Sequence, residues 1–334
     1  MAFSRPQPKF RWSQIPMSSN YPNGFAEGVT IRGIPLTHLH SGNVYWVNNS
    51  SVLPQGGSPG ANVTGHGTYL KPFNTIDYAI GRCTASRGDI IAVMPGHSET
   101  VITDGGIACD VAGVAIVGIG SGTLRPKIVL DTAAAAAVTV TAANVSFYNL
   151  VFEASFADVT NAIDVQATDL AVSNCEFKEE GANLNFVDII NAASTTNNTA
   201  DGLTVENCIS TAIDTAIDSF IVTAADLDRL VVTGNVVQHL HANALHLVEA
   251  LTGKDLTNVL IQGNMFSTLA AANFVGISTD TTTANNGNVA DNYFMSRDIA
   301  GELVATAGTN FAFHGNYSSS VIDASGYILP AVDS

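Results

Sequence analysis

Asp214, Asp218 and Glu249 are the residues whose types and spacing could carry chemistry together. Two carboxyl groups held ~5 to 9.5 Å apart across a glycosidic bond can divide the acid and base work of its hydrolysis. Asp214 and Asp218 stand four residues apart and Glu249 follows one repeat later, so these three are the catalytic candidates. His239, His241 and His246 form the densest histidine group. On a strand, an H-x-H pair puts both rings on one face, but the spacing supplies no third ligand at zinc geometry. The expectation is therefore no bound metal and no other cofactor. Arg229 follows Asp226 and Asp228, which reads as an ion pair at a turn, worth little energetically. No G-x-S-x-G elbow, phosphate loop, H-E-x-x-H pair or EF-hand loop is present.

Composition narrows the field. Of 334 residues only 13% are charged, with 13 Lys plus Arg against 29 Asp plus Glu, a net −16. Asn, Thr, Ser, Gly and Ala must cover most of the surface. Such a charge argues against nucleic acid, whose phosphates need clustered Lys and Arg, and no 18-residue apolar run suggests membrane insertion. The first residues lack an apolar signal core, so assembly in a cytoplasm is expected. Cys83, Cys109, Cys175 and Cys208 are too scattered for a disulfide scaffold and read as reduced core thiols.

The opening segment differs from the rest. Seven of the eleven prolines fall in the first 59 residues, and each removes a backbone donor and fixes φ. Residues 1–33 carry four basic residues against Glu27, a net +3, whereas the remaining 301 carry nine basic against 28 acidic, a net −19. Residues 1–42 are thus expected to form an extended basic arm that orders against a partner. Arg5, Lys9, Phe10, Arg11, Trp12 and Arg32 are its candidate docking residues.

Beyond it one pattern recurs: alternating apolar residues, a polar residue or Gly, then Asn. It places Asn149, Asn174, Asn207, Asn235, Asn264, Asn292 and Asn316 at intervals of 25, 33, 28, 29, 28 and 24 residues. Strands this short cannot bury a core unless successive coils stack. A period near 28 fits one turn of a parallel β-helix. Asn suits its tight corners, because it tolerates the left-handed backbone region and can bond its neighbours up the stack. The residues after those corners, Leu150, Cys175, Cys208, Met265, Tyr293 and Tyr317, are expected to form a further stack, with Cys175 and Cys208 as neighbouring thiols. Two polar stretches, 194–201 and 279–288, lengthen the repeat and should emerge on one side.

The start of the coil is the most specific stretch. Asn43 to Asn48 reads as a strand and Gln55 to Gly67 as a Gly-rich loop. A short helix follows, with Phe73, Ile76, Ile80 and Cys83 on one face, Asn74 as its cap and Asp77 in its first turn. Gly88 to Val101 then gives turn, strand and turn. Such a helix would cover the open end of the coil. His97, in the second turn, reads as structural.

This order, with its Pro-Phe-x-Thr-Ile-x-x-Ala-Ile helix and Gly-Asp-x-Ile-x-Val-x-Pro-Gly-x-x-x-Glu segment, resembles the start of right-handed parallel β-helices of the pectate-lyase-like superfamily. Tyr45 to Val101 is similar to the β-helix proteins of tailed-bacteriophage particles: tailspikes, short fibres and head decoration proteins. The resemblance implies an all-β fold, a single right-handed parallel β-helix over residues 43–320 (start and capping helix 43–88, coils 89–320) with a tail at 321–334. It also implies a homotrimer whose arm docks on phage capsid or tail proteins. A lyase of this kind would resemble an Asp cluster for calcium beside a catalytic Arg or Lys, yet after Lys127 only Lys178, Arg229, Lys254 and Arg297 remain. The leading expectation is a non-enzymatic virion protein, decorating the head or forming a short spike, whose exterior contacts host surface polysaccharide. A polysaccharide-degrading glycosidase or lyase is the alternative.

Overall fold

The computed structural model describes residues 30–31, 34–35 and 42–320, apart from 193–195, 215–216, 240–245, 252, 269–274, 280–284, 297–301 and 306–309. It is the all-β, right-handed parallel β-helix expected from the repeat. Three parallel sheets of ten, nine and eight strands run the length of the coil, each strand pairing with its counterpart one turn away. Parallel pairing follows from the period: a chain that returns to the same place every ~28 residues meets itself in the same direction. Within residues 1–42, Thr30–Ile31 and Ile34–Pro35 pair antiparallel. The docking candidates Arg5, Lys9, Phe10, Arg11, Trp12 and Arg32 lie outside the described residues.

Each sheet turns one column of side chains inward. In the ten-stranded sheet, Ile91, Ile116, Phe147, Val172, Val205, Val232, Ile261 and Val289 are register partners, and all are buried. The nine-stranded sheet stacks Phe152 on Phe177 at 5.1 Å between ring centroids and meets Phe220 of the eight-stranded sheet edge to face. A buried aromatic side chain contributes about 3–5 kcal/mol, judged by truncation, so this spine is a large share of what holds coil on coil.

The seven Asn corners are not one column. Asn149, Asn174 and Asn207 sit at the corner itself with φ of 57°, 53° and 53°, and their counterparts on later coils are Gly234, Gly263, Asp291 and Gly315. A Cβ at Gly234 would lie 2.8 Å from Asn207 Oδ1. Asn235, Asn264, Asn292 and Asn316 occupy the next position, in line with Leu150, Cys175 and Cys208. There they are buried. The Nδ2 of Asn235 donates to Val205 O and Asn264 Oδ1, that of Asn264 to Val232 O and Asn292 Oδ1, and that of Asn292 to Ile261 O and Asn316 Oδ1, all at 2.8–2.9 Å. Each Oδ1 also accepts the previous coil's backbone N–H, beginning with Cys208. The expected stack of Leu150 and Cys175 with Met265 and Tyr293 therefore does not form. Met265, Tyr293 and Tyr317 lie one position later, in line with Ile209 and Val236. All four cysteines are free.

At the first coil the helix spans Ile76–Ile80, and its cap is Thr75, whose Oγ1 accepts the Tyr78 N–H. The expected cap, Asn74, instead donates its backbone N–H to Asn62 Oδ1. Glu99 stands at the head of the inward column of the nine-stranded sheet, paired with Ile128. Its Oε2 accepts the Ile76 N–H at 2.8 Å and lies 3.1 Å from His97 Nε2, while His97 Nδ1 accepts the Asn49 N–H. That fixes His97 as the Nε2–H tautomer and makes the Pro-Gly-His-Ser-Glu turn a buried lock between the helix and the first two coils. Of the long polar stretches, the described residues 196–202 turn into a strand of the ten-stranded sheet, and Asn286–Ala290 is itself a strand of that sheet; residues 194–195 and 280–284 of these stretches lie outside the described residues.

Candidate functional site

On the eight-stranded sheet the strands Val159–Val165, Phe186–Ala192, Ser219–Thr223 and His246–Ala250 align Asn161, Asp188, Ser219 and His246 in one polar column. Glu249, three residues beyond His246, reaches back into it. Its Oε2 accepts the Ser219 hydroxyl at 2.6 Å and lies 3.3 Å from His246 Nδ1. The His246 hydrogen bond, with Ser219 helping against burial, holds the Glu249 carboxyl below its usual range. Asp188 behaves in the opposite sense. Burial first, then the charges of Asp218 and Glu249, push it up to about 7, with hydrogen bonding from Ser219 offsetting only part. Two polar atoms of the column are buried without a hydrogen-bond partner: Asp188 Oδ1 and Asn161 Nδ2.

A carboxyl that keeps its proton near neutrality beside one that stays ionised is the division of labour that acid–base catalysis needs. The structure thus places two of the three predicted carboxylates, Asp218 and Glu249, around a third that the sequence reading did not select. Asp214 goes elsewhere. Its carboxylate accepts the Asn183 N–H, its own N–H donates to Glu179 Oε2, and burial raises the Glu179 carboxyl, the Asp214 and Ile213 N–H groups offsetting part of the rise and the Asp214 charge adding to it. Asp188 carries no local motif. The signal available was positional: it lies one repeat before Ser219 and two before His246.

The histidines part company. His239 turns inward on the nine-stranded sheet with its Nε2 2.8 Å from Ser210 Oγ, and His246 belongs to the eight-stranded sheet, while His241 lies outside the described residues. Among the described residues no group of His, Cys, Asp and Glu could hold a metal ion. Arg229 is 55% exposed, with Asp228 Oδ2 at 3.2 Å and Asp169 Oδ1 at 3.5 Å, which is the turn ion pair expected.

The outer face of the nine-stranded sheet divides along its length. On the early coils Glu153 sits between Lys127 at 2.7 Å and Lys178 at 2.6 Å; burial would raise its carboxyl, but the two ammonium groups hold it low. Arg125 pairs with Glu176 at 2.9 Å and also donates to the Leu150 and Asn174 carbonyls. Beyond Lys178 the outward residues of this sheet change character, from charged to apolar and uncharged.

No family model matches the chain, and no curated protein does. Among solved structures it is similar to a rhamnogalacturonan lyase, at 12% identity and a TM-score of 0.48, over 83% of this chain and 74% of that one.

Proposed function

We propose that this chain is a non-enzymatic structural protein of tailed-phage particles, a trimeric β-helix that projects from the head or tail and is attached by its N-terminal arm. The observation that carries the reading is how the coil spends its functional groups. Its buried Asn side chains bond one another up the axis, its buried His–Glu pair locks the capping helix, and the charges of its early coils neutralise one another on the sheet face. Those are the investments of a rigid shaft. The basic, aromatic-bearing arm complements it as a docking element for a particle surface, and the Asn and Thr-rich exterior suits contact with host glycans. Native mass tests the assembly. A mass of about three times 34.7 kDa is expected for the full chain and, correspondingly, for a chain lacking residues 1–42. A monomer in both cases would overturn it, and trimers of only the full chain would move assembly into the arm.

One observation favours a second reading, a glycoside hydrolase: the raised Asp188 beside the ionised Glu249. In that reading Asp188 protonates the leaving oxygen and Glu249 acts as base or nucleophile. Release of reducing ends from host polysaccharide, abolished in both Asp188→Asn and Glu249→Gln, would establish it in place of the structural role.

A further inference from the structure

The outward side chains of the nine-stranded sheet are set by register. The first outward column runs Lys127, Val151, Glu176, Ile209, Val236, Met265, Tyr293 and Tyr317 from coil to coil. Its early members belong to the charged network already described. From Ile209 onward it is apolar over five successive coils, with Ile209 45% exposed, Tyr293 50% and Tyr317 38%. The Tyr293 and Tyr317 rings stack at 5.4 Å. The parallel column two residues along holds Thr211, Gln238, Ser267 and Met295 on the same coils. None of these nine residues is an acid or a base, on a body whose acidic residues outnumber its basic ones by 19.

We infer that this stripe is where copies of the chain meet; the inference rests on the reading above that the chain self-associates. Charge selects the occupant. Two copies of so acidic a body repel wherever their ordinary surfaces approach, and a face stripped of charge is where that repulsion is least and where apolar area can be removed from water. A basic partner would instead be drawn to the acidic faces, and this stripe offers it nothing. Five coils at ~4.8 Å by a four-residue strand give roughly 300 Å², the size of the dry centre of an association surface, with the flanking corners as its rim. Exposed Tyr and Ile and half-buried Met projecting beside short Thr and Ser side chains supply knobs and gaps for a facing copy, and Tyr is among the residues that dominate such centres.

The test uses the full chain with Ile209→Glu plus Tyr293→Glu. The fold tolerates a carboxylate in this column, because Glu176 occupies it one coil before Ile209. Sedimentation of the wild type should give a multimer. The double variant, checked by circular dichroism for an unchanged strand spectrum, should sediment as a monomer, with association weakened at least ~30-fold. Thr100→Glu, on the early part of the same face, should leave the mass unchanged. If the glutamates prevent folding, Ile209→Thr with Tyr293→Ser asks the same question with side chains already native to the neighbouring column. A wild-type multimer whose folded variants keep their mass overturns the stripe and leaves self-association standing, whereas a wild-type monomer overturns both.

Discussion

Asp188→Asn should make the protein more stable at alkaline pH while changing little at acid pH, a reversal of what removing a buried polar contact normally does. In the unfolded chain the Asp188 carboxyl titrates near the ordinary aspartate value of 3.8, whereas burial and the charges of Asp218 and Glu249 push it up to about 7 in the fold. Between those values the folded protein holds a proton that the unfolded chain releases. The stability this contributes is full below the unfolded pKa and is lost as pH rises through about 7. At ~1.4 kcal/mol per pH unit, the wild type should lose about 3 kcal/mol between about pH 5 and pH 8 on this group's account. Asn cannot ionise, so the variant, matched to wild type where the carboxyl is protonated in both states, should exceed the wild type by roughly 4 kcal/mol at about pH 8, most of it gained above about pH 5. Urea denaturation followed by far-ultraviolet circular dichroism, at several pH values, measures the difference. Taking variant against wild type cancels the other titrating groups, including Glu179 and Asp164, whose carboxyls burial also raises. A difference that stays flat across this range, or a variant weaker than wild type at pH 8, would refute the electrostatic account of the column.

Other perturbations have their own expected outcomes. Asn264→Ala strips the acceptor from the Asn235 backbone N–H and the side-chain donor from Val232 O, while Asn235 Nδ2 keeps Val205 O; at about 1–3 kcal/mol for each of these two buried groups, a loss of roughly 2–6 kcal/mol should appear as a lower denaturation midpoint. Glu99→Ala removes the acceptor of the Ile76 N–H and the partner of His97, and hydrogen exchange should show Ile76 losing protection before the distant coils do. Phe177→Ala opens the stack with Phe152 and Phe220 and should cost about 3–5 kcal/mol. Lys178→Ala should cost only about 0–1 kcal/mol by the same assay, because Glu153 retains Lys127.

The coil was legible because its period acts on every turn: alternation sets which side chains face in, and the recurrence sets which strands pair. Position within a turn was less legible. Asn149, Asn174 and Asn207 match Asn235 and its successors as letters, yet the first three turn the corner in the left-handed region and the others lie one residue on. Gly and Asp replace Asn at the corner, because they too accept positive φ, so a reading that follows the Asn slips by one column. The cap slipped likewise. Asn74 and Thr75 are both capping types; Asn62 Oδ1 accepts both their N–H groups, and only Thr75 Oγ1 takes the Tyr78 N–H. Asp188 was invisible for another reason. Its raised pKa comes from burial and from charges brought by Asp218 and Glu249, about one and two repeats away, and no local motif encodes that proximity.

The asparagine ladder also makes length a quantity that changes in steps. Because Asn235, Asn264 and Asn292 present the same atoms to the coil on either side, excising residues 236–264 as a block would join equivalent positions and shorten the shaft by one rise of ~4.8 Å, with both ends unaltered. Removing half as many residues would turn the inward column to water. The coil can therefore be lengthened or shortened by whole turns, as a telescope by its segments, without redesigning the turns at either end.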